Sequence, residues 1–326
     1  MSRLAALLTL LVLLLSLASL TVGPADAGLT ASLRALFGEG GPLVLVMQEI
    51  RLPRMLLGLM IGGSLGLAGA ALQGYLRNPL AEPGLIGISS SAALGAVIAI
   101  QSGLAAAFGL ALPLMALAFA LLAVLILLAL SGSRGDTLTL ILAGIAISAT
   151  TGALTQLVLN LSPNPFATSE IVFWLMGSLA DRSMTHVLLA LPFMAIGALL
   201  LGGIGRSLDA LTLGEDAAAS MGVNLRRLRL RIVIGTACVV GAGTAVAGAI
   251  GFIGLVVPHL LRPFTGNRPG PLLWASALGG AAMLLAADVA VRLLLPDRDL
   301  KLGVLTALVG APFFLHLIWR NRRDRA

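Results

Sequence analysis

Residues 55–76 read MLLGLMIGGSLGLAGAALQGYL, a stretch without a single charged side chain. A helix needs about 20 mostly apolar residues to cross the hydrocarbon core of a bilayer, so this stretch predicts a membrane-spanning helix. Small residues recur at every fourth position, namely Gly62, Gly66, Ala70 and Gly74. Helices in lipid pack through such small residues, because lipid provides no hydrophobic drive for their association. The stripe predicts close packing within the chain, with a dimer contact as the alternative.

The composition of the whole chain agrees with this local reading. Of its 326 residues 58% are hydrophobic and only 11% are charged, whereas soluble proteins carry roughly 25% charged residues. A soluble globular protein is therefore excluded, and a polytopic all-α membrane protein is predicted. The other apolar runs are residues 4–22, 85–100, 110–130, 138–159, 187–205, 232–249, 272–291 and 302–319.

The first apolar run allows two interpretations. Arg3 precedes it, and Ala25, Asp26 and Ala27 after it resemble the small-residue cleavage site of a signal peptide. The run is longer than the 7–15 residues that are usual for the apolar part of such a peptide. We therefore expect a retained first span.

Charge bias predicts the topology. The basic tail at residues 320–325 and Arg3 should both be cytoplasmic, which requires an even number of crossings. We therefore count residues 250–261 as a short tenth span and leave residues 171–180 as a partial helix in an external loop, 160–186. Fourteen of the 21 Lys and Arg residues then lie inside. This bias explains the pI of about 11.3 without a nucleic-acid partner. We expect one transmembrane domain over residues 1–326, with about ten helices and both termini cytoplasmic.

Residues 206–231 form the largest predicted cytoplasmic loop. Glu215 and Asp216 can open a short helix, Gly222 can end it, and Asn224 can cap the helix that follows. A short capped helix of this kind suits docking of a partner protein, and an ordinary solvated turn is the alternative.

Arg51, Arg54 and Arg292 on the outer side break the charge rule. They are either anchors for acidic side chains of an external partner or arginines that reach lipid headgroups.

If the chain is a transporter, its residues also bear on the source of energy. The chain has no P-loop motif, and Asp288 is the one carboxylate inside a predicted span. Ion-coupled carriers need ionisable groups at that depth. We therefore expect another chain to supply the energy, and an ion-coupled carrier is the alternative.

Cys238 is the single cysteine and the three histidines are scattered, so we expect no metal site. We also expect no catalytic residues.

Seven blocks in fixed order resemble the FecCD family, the permease subunits of binding-protein-dependent ABC importers. The resemblance covers about residues 51–320. The blocks are RLPR at 51–54, GAALQG at 69–74, RNPLAEPGL at 77–85, WLMGSL at 174–179, LGE at 213–215 through GV at 222–223, GFIGLVVPH at 251–259 and TALVGAPFF at 306–314.

The resemblance implies a type II importer in a bacterial inner membrane, which would move an iron–siderophore, haem or cobalamin from periplasm to cytoplasm. It implies a homodimer with a path on its axis, a periplasmic binding protein whose glutamates meet Arg51, Arg54 and Arg292, and two cytoplasmic ATPase subunits. ATP and magnesium would bind to those subunits, with no cofactor on this chain. The implied ATPase-coupling residues are Leu213, Gly214, Glu215, Asp216, Ala218, Met221 and Gly222, and the candidate path residues are Ser148, Gln156, Asn160 and Trp174.

One departure from the family pattern precedes the last span. Relatives usually read Glu-Leu-Pro-Val/Ile-Gly there, and this chain has Asp299, Leu300, Lys301, Leu302 and Gly303. Because the proline of the family pattern is absent, the resemblance does not predict the backbone geometry at the entry of the last span.

Overall fold

The computed structural model describes residues 2–23, 28–39, 41–131, 137–294 and 300–323, and within these ranges all regular structure is helical. Ala25, Asp26, Ala27 and Asp299 lie outside the described residues. The helices are α1 (Ser2–Thr21), α2 (Leu29–Leu36), α3 (Pro42–Leu45), α4 (Leu52–Tyr75), α5 (Ile88–Gln101), α6 (Leu104–Ala107), α7 (Ala111–Ser131), α8 (Thr137–Asn160), α9 (Pro165–Leu175), α10 (Met184–Gly202), α11 (Gly205–Leu211), α12 (Glu215–Ser220), α13 (Leu225–Ala247), α14 (Ile253–Leu261), α15 (Pro269–Leu294) and α16 (Leu302–Arg323).

All nine predicted apolar runs are helices. Within the described residues, seven helical stretches are long and apolar enough to cross a membrane, and Ile88–Gln101 and Leu302–Leu317 are shorter apolar helices. The helix of the opening stretch is longer than its apolar run, because α3, a π-helical turn at Val46–Arg51 and α4 are continuous from Pro42 to Tyr75. The all-α polytopic fold predicted from the composition is confirmed.

The small-residue stripe of α4 packs against α15 in the same chain. A methyl group built on Gly66 would overlap the carbonyl oxygen of Ser276, and one on Gly62 would overlap that of Gly280. The two backbones therefore touch directly, which only glycine permits at these two positions of α4. The prediction of packing within the chain is confirmed for this part of the stripe.

The short tenth span differs from the predicted residues 250–261. α13 ends at Ala247, and α14 begins only at Ile253 after backbone turns with positive φ at Gly248 and Phe252. Nine helical residues rise about 13 Å, less than half of a typical hydrocarbon core. The prediction of a continuous short span was wrong at its start, because α14 is a half-helix entered through non-helical backbone.

The partial helix predicted at 171–180 lies earlier in the chain. α9 spans Pro165–Leu175, and the side-chain oxygen of Asn164 accepts a hydrogen bond of 3.0 Å from the backbone N–H of Phe166 at its start. Gly177 adopts a positive φ of 71° just after the helix. Residues 176–180 are therefore outside the helix, because an N-cap and a glycine turn, rather than apolarity, set its limits.

We predict that Gly66→Ala lowers the free energy of unfolding by about 1–3 kcal/mol, the usual cost of overpacking, because the added methyl group forces α4 and α15 apart. Thermal unfolding of the purified protein in detergent measures the effect. Gly152→Ala on α8 is the matched control, since nothing lies within 4 Å of its added methyl group. Equal stability of the two variants would contradict the close α4–α15 contact.

Candidate functional site

Asp288 holds two of the three predicted docking arginines. Its carboxylate is 1% exposed and accepts hydrogen bonds from Nε of Arg54 at 2.9 Å and from Nη2 of Arg292 at 2.7 Å. Asp288 and Arg292 are one helical turn apart on α15, whereas Arg54 comes from the first turn of α4. The result is a buried Arg–Asp–Arg cluster at one end of the α4–α15 pair.

Arg51 and Arg292 also bind the end of α1, and Arg51, Arg54, Arg292 and Asp288 together are called the arginine cluster. Nη1 of Arg51 donates to the carbonyl oxygens of Leu20 at 2.8 Å and Thr21 at 3.0 Å. Nη1 of Arg292 donates to Ser19 at 2.8 Å and Val22 at 2.9 Å. The last carbonyls of a helix lack partners inside the helix and carry partial negative charge, so cationic donors suit them.

This placement differs from the exposed ring of anchors that the sequence suggests. Arg51 is only 4% exposed, and the side chains of Arg54 and Arg292 are 18% and 10% exposed. Their guanidinium groups are committed to Asp288 and to α1. Asp288 in turn is bound between two cations, so it is not the isolated carboxylate that an ion relay would use.

The predicted coupling loop folds as two short helices. α12 begins after Gly214 with Glu215 and Asp216 in its first turn, and Gly222, with a φ of 85°, follows its end. The side chain of Asn224 caps α13 by accepting from the backbone N–H of Arg227 at 2.9 Å. The predicted start, end and cap of these helices are all confirmed.

Exposure separates the predicted coupling residues. Leu213 and Met221 are apolar, yet 67% and 63% exposed, at the two ends of α12. Ala218 is fully buried and packs α12 against the body of the protein. Ala218 therefore contributes support rather than contact surface.

The α11–α12 helices and the arginine cluster lie at opposite ends of α15. Asp209 on α11 accepts from the backbone N–H of Gly270 at 2.7 Å and pairs with Arg268 at 2.9 Å, just before α15. Arg292 belongs to the last turn of the same helix. A helix of 26 residues is about 39 Å long, so the two regions are separated by a full membrane thickness.

The four candidate path residues do not form one site in the described chain. Gln156 and Asn160 are exposed one turn apart on α8. Ser148 lies about 80° further round that helix, and its hydroxyl oxygen is buried without a hydrogen-bond partner among the described residues. Trp174 is 8% exposed on α9, and its backbone carbonyl oxygen lies close to Gly248.

A cavity of about 510 Å³ was not predicted from the sequence. It lies between the end of α9, the backbone after α13 and one face of α16. Gly303, Ala307 and Ala311 recur every fourth residue on that face, a spacing that could have indicated it. The cavity-lining residues are Leu175, Met176, Ala249, Gly303, Val304, Ala307, Leu308, Ala311 and Pro312.

Lys301, the departure from the family pattern, lies beside this cavity. Its ammonium nitrogen is 5.5 Å from the centre of the Phe173 ring on α9, within the range of a cation–π contact. The backbone N–H of Gly303 donates to the carbonyl oxygen of Gly177 at 3.2 Å. The entry of α16 is thus attached to the segment after α9 without the proline that the family pattern predicts there.

Two polar side chains, the half-buried Glu82 and the buried Gln73, fix the half-helix α14. Oε1 of Glu82 accepts from the backbone N–H of Phe252 at 2.6 Å, and burial raises the pKa of this carboxyl above its ordinary value. The amide of Gln73 donates to the carbonyl oxygen of Gly254 at 3.3 Å and accepts from Arg262 at 2.6 Å. Gln73 belongs to the GAALQG block and Glu82 to the RNPLAEPGL block. Their positions in the sequence did not indicate that they bind α14, which lies about 180 residues later in the chain.

The architecture defines a class of protein, namely a polytopic helical membrane protein. The described residues contain no group of three or more His, Cys, Asp or Glu side chains that could hold a metal ion. The chain belongs to the FecCD transport family, whose model matches residues 10–320.

Individual relatives cover nearly the whole chain. It is 39% identical over 325 residues to the hemin transport system permease protein HmuU of Yersinia pestis, covering 96% of each chain. It is 41% identical over 282 residues to the vitamin B12 import system permease protein BtuC of Vibrio cholerae, covering 85% of this chain and 83% of the relative. A solved structure of an inward-facing transporter assigned to the metal-chelate ABC type superposes with a TM-score of 0.88 at 31% identity, covering 98% of this chain and 100% of the other.

We predict that Asp288→Asn destabilises the protein by about 3–5 kcal/mol, because it leaves Arg54 and Arg292 without their buried counter-charge. Asp209→Asn is the control, since its partner Arg268 has a side chain that is 67% exposed, and loss of an exposed pair costs at most about 1 kcal/mol. Chemical or thermal unfolding in detergent compares the two. Equal losses would mean that the cluster does not stabilise the fold.

We predict that Glu82 makes stability fall as the pH rises above 4.5, the ordinary value for its carboxyl. A raised pKa means that the folded state holds the proton more tightly than the unfolded state, so the loss continues up to the folded pKa. Glu82→Gln does not titrate and should show a shallower fall over that range. Glu170→Gln, at an exposed position on α9, is the control and should follow the wild type. Parallel curves for wild type and Glu82→Gln would contradict the prediction.

Proposed function

We propose that this chain is the membrane-spanning permease subunit of an ABC importer that carries a bulky metal chelate, of the iron–siderophore, haem or cobalamin class, into the cytoplasm. The observation that carries the proposal is α12, a short helix with exposed apolar side chains beside it, held at the opposite end of the bundle from the arginine cluster. Membership of the FecCD transport family supports the same role.

The α11–α12 helices are the proposed contact with a pair of ATPase subunits that bind ATP and magnesium. Leu213 and Met221 supply apolar surface for burial in a cleft of the ATPase. Glu215 and Asp216 are exposed in the first turn and leave a charged rim. Asp209 joins these helices to the start of α15, so a displacement of α12 is passed to a helix that spans the bundle.

The arginine cluster marks the proposed outer end, where a periplasmic binding protein docks. Among its three arginines Arg54 has the most exposed side chain, at 18%, so we assign the direct contact with an acidic side chain to Arg54. Arg51 and Arg292 then act as positioning residues that fix α1 and Asp288 around it. With this proposed orientation both termini would lie in the cytoplasm, which agrees with the expectation from the charge bias.

A homodimer is proposed, with the translocation path between two copies. The exposed polar side chains of Gln156 and Asn160 on α8 and the cavity beside α16 are the surfaces available to line it. The lining of that cavity is mostly small and apolar, which suits a chelate whose metal is already enclosed by its own ligands.

Uptake in proteoliposomes tests the proposal. The chain is reconstituted with its proposed ATPase and binding-protein partners, and labelled haem, cobalamin and a ferric siderophore are offered in turn. We expect uptake of one chelate that requires ATP inside and the binding protein outside. Uptake driven by an ion gradient without the ATPase would instead establish an ion-coupled carrier.

The coupling surface has its own prediction. The double variant Leu213→Asp and Met221→Asp should reduce ATPase association at least tenfold, because charged groups replace the apolar contact. Co-purification with the ATPase and ATP-driven uptake measure the loss. Phe37→Asp is the control, since Phe37 is 87% exposed after α2 at the opposite end of the bundle. Undiminished association of the double variant would contradict the assigned contact.

A further inference from the structure

A basic cavity lies at the base of α13, beside the α11–α12 helices, and Met221 and Gly222 at the end of α12 belong to its lining. It has a volume of about 390 Å³, and three arginines line it, namely Arg206, Arg227 and Arg231. All three are exposed, and none of them forms an ion pair with another described residue. No carboxylate belongs to the lining. Three cations that converge on one space predict an anionic ligand.

The local fold explains why these arginines lack an internal counter-charge. Asp209 lies on the same short helix as Arg206, but its carboxylate is bound to Arg268 and to the backbone N–H of Gly270. The cavity also borders Asn224, the N-cap of α13. The amino end of a helix carries partial positive charge, so the backbone adds to the attraction for an anion.

A separate apolar groove lies farther along the same face of α13. It has a volume of about 370 Å³ and lies between side chains of α7, α10 and α13, among them Phe193, Ile234 and Cys238. Arg227, Arg231, Ile234 and Cys238 are spaced by four, three and four residues, which places them on one side of the helix. Arg231 and Cys238 are about 10 Å apart along the helix axis.

We propose that this face of α13 binds an anionic phospholipid, with its phosphate among the three arginines and one acyl chain in the groove. Arginine matches phosphate oxygens in geometry as well as charge, and basic pockets between membrane helices suit lipid headgroups. A free phosphate ion or an acidic side chain of a partner would fill only the basic cavity. The apolar groove on the same face, at the depth where α13 crosses the membrane, favours the lipid.

Native mass spectrometry of the purified protein tests the headgroup contact. Phosphatidylglycerol, phosphatidylcholine and inorganic phosphate are added separately to the wild type and to Arg227→Gln, Arg231→Gln and Arg226→Gln. Arg226 is the matched control, since it is exposed beside Arg227 but does not line the cavity. We expect preferential retention of phosphatidylglycerol by the wild type and Arg226→Gln, and about fivefold weaker binding in each of the other two variants. Equal retention by all four proteins would overturn the proposal.

The single cysteine reports on the groove. Cys238 is half-buried there, so a bound acyl chain should slow its alkylation by a membrane-permeant maleimide. We expect at least threefold slower alkylation in phosphatidylglycerol nanodiscs than in phosphatidylcholine nanodiscs, and no such difference in Arg227→Gln. Equal rates in both lipids, together with displacement of phosphatidylglycerol by inorganic phosphate, would reduce the site to a phosphate site. Loss of ATPase binding in Arg227→Gln with unchanged lipid retention would assign the cavity to an acidic partner instead.

Discussion

The direct backbone contact between α4 and α15 is the constraint on which the rest of the structure depends. Gly66 meets Ser276 and Gly62 meets Gly280 in an antiparallel register. Twelve residues before Gly66 on α4 is Arg54, and twelve residues after Ser276 on α15 is Asp288, and these two form the buried ion pair. The register that the small residues set therefore determines which charges meet at the end of the pair. A side chain larger than hydrogen at Gly66 would disturb both the packing and the ion pair.

Arginine side chains have different surroundings at the two ends of the bundle. At one end the arginines are neutralised by Asp288 and by the last carbonyls of α1, so most of their charge is used inside the protein. At the other end Arg206, Arg227 and Arg231 face a cavity whose lining contains no carboxylate. Charge at the first end is neutralised inside the fold, whereas charge at the second end meets no carboxylate in the lining of that cavity. A count of basic residues inside and outside the membrane does not distinguish the neutralised arginines at the first end from the arginines at the second end that form no ion pair with another described residue.

Non-helical backbone is concentrated where α9 and α13 end and α16 begins. The N–H of Ser178 donates to the carbonyl oxygen of Ala247 at 2.7 Å, and the N–H of Gly303 donates to that of Gly177 at 3.2 Å. These contacts satisfy polar groups that lipid could not satisfy, which is the condition for irregular backbone at membrane depth. The same segments border the 510 Å³ cavity beside α16.

The sequence by itself determined the all-α membrane fold, the positions of its apolar helices, the ends of α12 and the family. These features follow from local quantities, namely the length of apolar runs, the residues that cap helices and the order of short motifs. Only the tertiary structure decided that α14 is a half-helix, that Ala218 is buried, that Asp288 neutralises Arg54 and Arg292, and that Gln73 and Glu82 hold α14. Each of these depends on a contact between residues far apart in the chain, such as Glu82 with Phe252. Composition and spacing along one segment do not encode which distant backbone or charge will face it, because helix register and packing set that choice.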